Sequence, residues 1–218
     1  MSDGRLVIGN KRYSSWSLRG WLAVRLARLD VDEQVVPLAG TGASSAVKDV
    51  TPNGLVPYLE HRGARVWESL AIVEYCAEQA PGMWPAAPVP RALARSVSAE
   101  MHASFTGLRQ AMPFNAGREF PGQRRTDAAL ADIARIEAIW AECMAISGGP
   151  YLFGNDLGAA DVMFAPVVSR FLTWQPELSD AALAYAREVR AHPLMQRWYE
   201  EAAAEPTEWL LEKYENPA

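Results

Sequence analysis

The chain is poor in the residues that build disulfide and metal sites. It has two cysteines and three histidines among 218 residues. Cys76 and Cys143 lie far apart, have no CxxC partner and fall in helical patterns, so buried free thiols in a reducing compartment are expected. His61, His102 and His192 have no metal-ligand spacing among themselves or with the cysteines. The sequence therefore predicts no metal site.

Long apolar runs and an excess of positive charge are also absent. No apolar stretch approaches the length that spans a membrane, and the N-terminal residues lack a signal-peptide pattern. The net charge is −5, and the lysines and arginines are scattered. This composition is not that of a nucleic-acid binder. We expect a cytoplasmic protein without nucleic-acid or membrane partners.

What the chain does have is apolar sequence, at 50% of its residues, which is ample for a large core. Its first part alternates strand and helix patterns. Strands are predicted at residues 6–9, 33–38, 55–60 and 64–67, helices at 17–29 and 69–79, and a loop with a short helix at 40–50. A βαβ crossover followed by ββα predicts a small mixed sheet with helices on both faces.

A proline-rich linker divides the chain into two predicted domains. Residues 80–90 contain four of the 15 prolines, and neither a regular helix nor a central strand is expected through Pro90. The predicted boundaries are 1–80 for an α/β domain, 81–90 for the linker and 91–218 for an all-helical domain. Within the last, apolar residues from Leu93 to Met112 form one long helical stripe, and Ile133 to Met144 mark a second helix. Residues 159–171, apolar nearly all round, predict a buried central helix.

Three serines crowd the predicted turn between the first strand and the first helix, in the stretch Tyr13-Ser14-Ser15-Trp16-Ser17-Leu18-Arg19. Free backbone N–H groups and the positive end of a helix dipole at such a turn can hold an anion or stabilise a thiolate. The alternative is simple N-capping, for which serine is a favoured residue. This segment alone leaves both open.

Two later segments suggest contacts to an extended, peptide-like ligand. A cis Val56–Pro57 bond at a strand start would turn the backbone groups of Val56 outward to pair with such a ligand; an ordinary trans proline at a strand edge is the alternative. Glu68 and Ser69 begin a helix, whose N-terminus could hold a carboxylate while Glu68 binds an ammonium. That pair suits an α-amino acid head group. The alternative is a capped helix beside a solvated carboxylate.

In this order and spacing the three segments resemble the glutathione transferases, and Ser14 to Arg19 resembles the zeta-class pattern Ser-Ser-Cys-Ser-x-Arg. The resemblance covers essentially the whole chain. It implies a thioredoxin-like N-terminal domain, an all-helical C-terminal domain and a homodimer. It also implies glutathione as co-substrate, a small-molecule electrophile as second substrate, and detoxification chemistry. Ser14 matches the family's catalytic serine, Ser15 is the second candidate, and Tyr13 is a rival.

The resemblance also implies the residues around both substrates. The implied glutathione contacts are Ser14, Ser15, Lys48, Val56, Pro57, Glu68 and Ser69. The implied pocket for a hydrophobic electrophile lies between the domains and includes Tyr13, Trp16, Met101, Phe105, Leu108 and Met112. Leu55 stands where many relatives carry a polar or basic residue, so Lys48 or Asn53 is expected to contact the glycyl carboxylate.

A further match and two departures bear on the interpretation. Gly158 to Asp161 resembles the family's capping motif before the central helix, with glycine in place of the usual serine or threonine, so Asp161 is interpreted as structural. Trp16 replaces the zeta-class cysteine, which weakens the case for maleylacetoacetate isomerisation. The first turn has no cysteine at all, which argues against mixed-disulfide chemistry. Two alternatives to a conjugating transferase stay open: a zeta-like cis–trans isomerase, and a non-catalytic partner-binding protein.

Overall fold

In the described residues, the N-terminal domain combines four strands with three helices. A computed structural model describes residues 2–38 and 45–217. The elements of this domain are β1 (Gly4–Gly9), α1 (Ser15–Leu26), β2 (Asp32–Val36), α2 (Ser45–Val50), β3 (Tyr58–His61), β4 (Ala64–Trp67) and α3 (Ser69–Gln79). The short helix predicted within residues 40–50 is α2, and residues 40–44 of that prediction lie outside the described part of the chain.

The sheet has the order β2-β1-β3-β4, with β1 and β2 parallel and the other two pairings antiparallel. Short apolar strands and a two-residue turn at Arg62-Gly63 account for the hairpin of β3 and β4. The βαβ unit and the following ββα unit confirm the fold class predicted from the sequence. Strand β3 begins at Tyr58 rather than at residue 55, because Pro57 has no N–H group to donate to the sheet.

The C-terminal domain is entirely helical in the part of the chain that the structure describes. Its elements are α4 (Pro88–Ala103), α5 (Thr106–Ala111), α6 (Asp127–Ser147), α7 (Ala159–Trp174), α8 (Asp180–Ala191), α9 (Pro193–Ala203), a short 3₁₀ helix (Thr207–Trp209) and α10 (Glu212–Glu215). Helix α7 is the buried central helix, with every residue but Leu172 buried, and it packs against α1, α4 and α8. Its all-round apolar sequence requires this central position.

In the helical domain, two features differ from the sequence-based prediction. Helix α4 begins at Pro88, inside the predicted linker, because the first turn of a helix does not use the N–H groups that Pro88 and Pro90 lack. The stripe predicted from Leu93 to Met112 is two helices rather than one. The break lies at Phe105, whose φ of 64° is left-handed and incompatible with a continuous helix.

The described residues contain no helix that is long and apolar enough to cross a membrane.

Candidate active site at the domain interface

The three segments singled out from the sequence lie at one end of the sheet. Strands β1 and β4 both run antiparallel to β3, and Tyr58 at the start of β3 pairs with Val7 of β1 and with Trp67 of β4. The carboxyl ends of β1 and β4 therefore lie beside the amino end of β3. The serine turn follows β1, Val56–Pro57 precedes β3, and Glu68–Ser69 follows β4, so the sheet register brings all three together.

Ser14 is the N-cap of α1. Its backbone is extended, with φ −91° and ψ 90°, and its Oγ accepts the backbone N–H of Ser17 at 3.3 Å. The Ser14 and Ser17 hydroxyl oxygens lie 2.7 Å apart, and Ser17 Oγ accepts the backbone N–H of Gly9 at 2.9 Å. A short chain of hydrogen bonds thus runs from the end of β1 to the cap of α1. Ser14 is therefore an N-cap whose hydroxyl also belongs to a defined hydrogen-bond network.

The Val56–Pro57 peptide bond is cis, one of the two alternatives that the sequence leaves open. Pro57 is buried against α1, where a Cβ atom added to Gly20 would lie 2.8 Å from Pro57 Cβ. Glycine at this position therefore allows α1 to approach the proline closely. Of the residues expected near the glycyl carboxylate, Lys48 and Asn53 are exposed, and Asn53 Oδ1 accepts the N–H of Leu55 at 3.2 Å.

Glu68 and Ser69 form the start of α3. Glu68 has φ 67°, a conformation that non-glycine residues rarely adopt and that recurs at ligand-binding sites. Its carboxylate is half exposed and lies 3.6 Å from Nε2 of His102 on α4. Ser69 is buried, and its Oγ has no hydrogen-bond partner in the described part of the chain. Buried polar atoms are normally paired, so an unpaired hydroxyl at a helix N-terminus indicates a place for a polar ligand.

Three arginines meet beside the serine turn, one each from α1, α5 and α7; Arg19 and Arg170 are buried and Arg109 is partly buried. Arg19 is fully buried; its Nε donates to the Met163 carbonyl at 2.8 Å, while both terminal nitrogens lack a partner among the described residues. Arg170 donates to the Met112 carbonyl at 2.9 Å and to Ser15 Oγ at 3.4 Å. Arg109 completes the group, and we call these three residues the arginine cluster.

The arginine cluster has a surplus of positive charge. Within the described residues, none of its members lies within ion-pair distance of a carboxylate. Burial lowers the pKa of Arg170 to about 9 and that of Arg19 well below its usual range, and the charge of Arg109 lowers both further. Arg109 therefore destabilises the charges of Arg19 and Arg170, and Arg170 destabilises that of Arg19. An anion bound among them would relieve this repulsion.

Trp16 contacts two members of the arginine cluster and a histidine of the helical domain. Two guanidinium groups lie over its ring, with the Arg19 Cζ 4.7 Å and the Arg109 Cζ 4.8 Å from ring centroids. The His102 ring meets Trp16 edge-on, with ring centroids 5.2 Å apart. Burial lowers the pKa of His102, and the positive charge of Arg19 adds to this effect. Both domains therefore contribute to the surroundings of the serine turn.

The other predicted electrophile contacts lie inside the protein. Four side chains are buried in the main hydrophobic core: Met101, Phe105, Leu108 and Met112. Tyr13 is also buried, and its hydroxyl donates to the carboxylate of Glu215 on α10 at 2.6 Å. Among the six predicted residues, only Trp16 is partly exposed beside the serine turn.

Sequence reasoning missed the arginine cluster and His102 as site residues. Arg19 stands in the quoted serine motif, and Arg170 is a charged residue within a helix that is otherwise apolar on all sides. A buried charge in such a helix was a usable signal, because isolated charges are rarely buried without a function. Arg109 and His102 gave no comparable signal.

Asp161 occupies the N-terminal turn of α7, where the sequence motif predicted it. Its Oδ2 accepts the N–H of Gly158 at 2.9 Å, and its Oδ1 accepts the N–H of Leu152 at 3.0 Å and the hydroxyl of Tyr185 at 2.9 Å. Gly158 contributes no side-chain cap, so only half of a capping box is present. The carboxylate joins α7 to α8 and to the preceding loop.

Both thiols are buried, and the described residues show no cluster of metal ligands. Burial raises the pKa of Cys76 and of Cys143 to about 12, so both thiols are protonated and enclosed. The structure places no group of three or more His, Cys, Asp or Glu side chains in metal-binding proximity within residues 2–38 and 45–217.

Comparison with known proteins identifies the family. A model of the N-terminal domain of glutathione S-transferases matches residues 13–79, and a model of their C-terminal domain matches residues 122–201. A probable maleylacetoacetate isomerase of Caenorhabditis elegans is 27% identical over 174 residues, which cover 77% of this chain and 79% of the relative. The maleylacetoacetate isomerase of Rattus norvegicus is 27% identical over 187 residues, covering 82% and 84%.

Solved structures agree on the fold. A glutathione transferase homolog from Burkholderia with bound glutathione has a TM-score of 0.70 at 22% identity, over 93% of this chain and 99% of that one. A tau-class glutathione S-transferase from Mangifera indica has a TM-score of 0.69 at 21% identity, over 93% and 96%. With one family model matching each domain, the chain belongs to the glutathione S-transferase family.

Proposed function

We propose that this transferase uses Ser14 to stabilise the thiolate of glutathione for attack on an electrophile that carries a carboxylate. The observation that carries the second half of the proposal is the arginine cluster next to the serine turn. Arg19 and Arg170 are buried, Arg109 is partly buried, and none of the three forms an ion pair with a carboxylate among the described residues. Carboxylate is the common substrate group that suits several guanidinium groups at once.

The hydrogen-bond network around Ser14 supports its role. A hydroxyl group accepts two hydrogen bonds and donates one. In the structure the Ser14 hydroxyl donates to Ser17 Oγ and accepts the Ser17 N–H. Reversal of the first bond when glutathione binds, with the Ser17 hydroxyl donating to Ser14 Oγ, leaves the Ser14 proton for the sulfur atom. The N–H of Gly9 holds Ser17 Oγ in place. Lowering a thiol pKa by about two units requires about 2.7 kcal/mol, within reach of one charge-assisted hydrogen bond and a helix N-terminus.

The remaining glutathione contacts follow from the chemistry of each segment. Ser69 Oγ and the N-terminus of α3 suit the γ-glutamyl carboxylate, because a buried hydroxyl and free backbone N–H groups are donors for an anion. Glu68 suits the γ-glutamyl ammonium. The backbone of Val56, beside Pro57, pairs with the peptide part of glutathione. Lys48 or Asn53 contacts the glycyl carboxylate, and Ser15, which Arg170 orients, is the second candidate for contact with sulfur.

A small, acidic electrophile suits the domain interface better than a large apolar one. The apolar residues expected to line a hydrophobic pocket are core residues, whereas Trp16 and the guanidinium groups of Arg19 and Arg109 form a stacked group beside the serine turn. An aromatic ring over charged groups excludes water and strengthens their attraction for an anion.

Cis–trans isomerisation is the second candidate function, and the same arginines favour it. A maleyl-type substrate carries a carboxylate and a carbonyl group on a cis double bond. Addition of the glutathione thiolate converts that bond to a single bond, rotation follows, and elimination regenerates the thiolate and the trans product. Two of the relatives reported above are named as maleylacetoacetate isomerases. Trp16, in place of the zeta-class cysteine, is the residue that weighs against this assignment.

The test compares an acidic with a neutral electrophile. We expect Arg109→Gln to lower kcat/KM for maleylacetoacetate about tenfold or more, equivalent to about 1.4 kcal/mol, because the substrate carboxylate loses a charged partner. With a neutral halodinitrobenzene the same variant should change kcat/KM by less than about twofold. Arg95→Gln is the matched control, since Arg95 is an exposed arginine of α4 that pairs with Glu74 of α3.

Equal losses with both electrophiles would contradict the role of the arginine cluster in substrate selection. Retention of the parent on immobilised glutathione, with no turnover of acidic, neutral or peroxide substrates, would favour the non-catalytic alternative. We also propose that the protein acts as a cytoplasmic homodimer, which the family resemblance implies.

A further inference from the structure

The loop before Ser14, residues 10–13, is held by the C-terminal segment of the chain. The Ser14 N–H donates to the Asn10 carbonyl at 3.0 Å, which closes the loop on itself. Beyond this bond, the backbone N–H groups of Lys11 and Arg12 both donate to the carboxylate of Glu205, just after α9. The Lys11 ammonium, in turn, pairs with the carboxylate of Glu201 in α9.

Glu215 on α10 makes the densest set of contacts with this loop. Its carboxylate accepts two hydrogen bonds from Arg12, from Nε and Nη2, each at 2.8 Å. It also accepts the Tyr13 hydroxyl at 2.6 Å and Asn115 Nδ2 at 3.4 Å. Glu215 is 8% exposed, so these charge-assisted bonds are shielded from solvent.

Neighbouring groups fix the geometry of this carboxylate. The Tyr13 and Tyr214 rings stack with centroids 5.2 Å apart, and the Tyr13 hydroxyl accepts the N–H of Leu211 at 3.2 Å. Asn115 Nδ2 also donates to the Tyr214 carbonyl at 2.7 Å. Tyr13, the residue next to Ser14, is therefore held through both its ring and its hydroxyl.

The charge of Glu215 persists throughout the neutral pH range. Burial raises its pKa, but the hydrogen bonds from Arg12 and Tyr13 outweigh burial and lower the pKa to about 2. Burial and the bond to Glu215 raise the pKa of Tyr13 to about 12, so the phenol stays protonated and remains a donor to Glu215. A phenol engaged in this way is not available to donate to a glutathione sulfur.

We infer that Glu215 is a positioning residue for the transferase reaction: through Arg12 and Tyr13 it fixes the loop that sets Ser14 against the glutathione sulfur. This inference rests on the proposed role of Ser14. An N-cap hydroxyl must lie within hydrogen-bond distance of the sulfur to stabilise the thiolate, and a displacement of about 1 Å is enough to weaken such an interaction strongly. In the described part of the chain, the side chains of Arg12 and Tyr13 form hydrogen bonds to no carboxylate other than that of Glu215.

The experiment follows the ionisation of bound glutathione by the ultraviolet absorbance of the thiolate as a function of pH. In Glu215→Gln we expect the apparent thiol pKa to rise by about one unit, a tenfold loss of thiolate at a fixed pH below it, with a matching fall in kcat. Binding of S-methylglutathione, which has no ionisable thiol, should stay within about twofold of the parent by calorimetry, because Glu68 and Ser69 lie on other segments. Glu212→Gln is the matched control, since Glu212 lies on the same helix, is exposed and contacts Asn216.

A second variant covers the case in which Glu215→Gln does not fold. Arg12→Lys keeps the positive charge but cannot form two parallel hydrogen bonds to one carboxylate, so we expect a smaller shift in the same direction. Unchanged titration curves in both variants would overturn the inference. So would a lower thermal midpoint with an unchanged curve, which would mark Glu215 as structural only, or an equal shift in Glu212→Gln.

The result separates this inference from the proposed function. If Ser14→Ala shifts the titration curve and Glu215→Gln does not, the role of Ser14 stands and the role of Glu215 fails. If Ser14→Ala leaves the curve unchanged, the proposed function fails at Ser14. A shift in Glu215→Gln would then indicate that the loop positions the N-terminus of α1 rather than the serine hydroxyl.

Discussion

At the scale of single residues, the site depends on the direction of one hydroxyl proton. Ser14, Ser15 and Tyr13 all present hydroxyl groups in the turn before α1, but their surroundings differ. The Tyr13 hydroxyl donates to Glu215, and Ser15 Oγ accepts from Arg170. The Ser14 hydroxyl accepts the N–H of Ser17 and directs its proton at Ser17 Oγ, a neighbour that can reverse the bond and release this proton to a bound sulfur. We therefore expect Ser14 to give the largest effect on the thiolate.

The first prediction at this scale concerns Ser14→Ala. Loss of one hydrogen bond to a charged acceptor is worth about 1.5–3 kcal/mol, so the pKa of the bound thiol should rise by about one to two units. Turnover should fall at neutral pH and recover as the pH is raised. Absorbance titration of the glutathione complex and the pH dependence of kcat measure the two effects.

Two variants serve as controls for this prediction. Ser15→Ala should leave the titration nearly unchanged, and a larger shift there than in Ser14→Ala would assign the role to Ser15. Glu68→Ala should weaken glutathione binding without moving the thiol pKa, because the ammonium of the ligand loses its counter-charge while the sulfur site stays intact.

At the scale of elements, the N-terminus of α7 combines a buried carboxylate with three donors. In Asp161→Ala the N–H groups of Gly158 and Leu152 and the hydroxyl of Tyr185 lose their acceptor. We expect the free energy of unfolding to fall by about 2–4 kcal/mol, since buried unpaired donors cost about 1–3 kcal/mol each and partly relax. Denaturant unfolding measures the loss. A fully stable variant that lacks turnover would contradict the structural role of Asp161.

The pH dependence of stability gives a separate check on the same residue. Burial raises the pKa of Asp161 to about 6, although its hydrogen-bond donors lower it. The unfolded chain has the ordinary value of about 3.9, so between about pH 4 and pH 6 the folded state binds the extra proton. Protonation of Asp161 therefore stabilises the folded state. This stabilisation is complete below about pH 4 and is lost as the pH rises through about 6.

The variant Asp161→Asn cannot ionise, so it tests this expected fall in stability with rising pH. From pH 4 to pH 7 the unfolding free energy of the parent should fall relative to that of the variant by about 2–3 kcal/mol. Other carboxylates titrate in both proteins and cancel in the difference. If the parent instead gained stability relative to the variant as the pH rises, the three hydrogen-bond donors would outweigh burial in setting the pKa of Asp161.

At the scale of the whole molecule, the two domains leave large apolar side chains exposed. Trp67 at the end of β4 is 45% exposed, and Val89 in the first turn of α4 is 79% exposed. One lies in each domain, which suits an interface between the small domain of one copy and the helical domain of another. Closed two-fold symmetry is the commonest way to bury such a pair of surfaces.

We therefore expect a homodimer at micromolar concentration, measurable by light scattering. Trp67→Lys and Val89→Lys should shift the mass toward that of the monomer, because each would bury an unpaired charge in the interface. Ile146→Lys, at a residue that is 51% exposed at the end of α6, serves as control and should stay dimeric. A monomeric parent protein would contradict the proposal.

Local sequence determined the elements and the order of the candidate ligand segments. Strand and helix periods, the prolines and the serine and glutamate helix starts are short-range features, and they predicted the βαβ-ββα domain and the buried α7. The boundaries that were wrong depend on single-residue backbone geometry. Phe105 adopts a left-handed conformation within an apolar stripe that has helical spacing, and Pro88 is placed where a helix tolerates proline.

Only the tertiary structure decided which side chains meet. Arg19, Arg109 and Arg170 are far apart in the chain, and no periodic pattern records that α1, α5 and α7 place their guanidinium groups together. The contact of Glu215 with Arg12 and Tyr13 joins the two ends of the described chain, a separation at which sequence spacing carries no information. Local propensity thus specified the serine turn, while long-range packing decided its charge environment and what holds it in place.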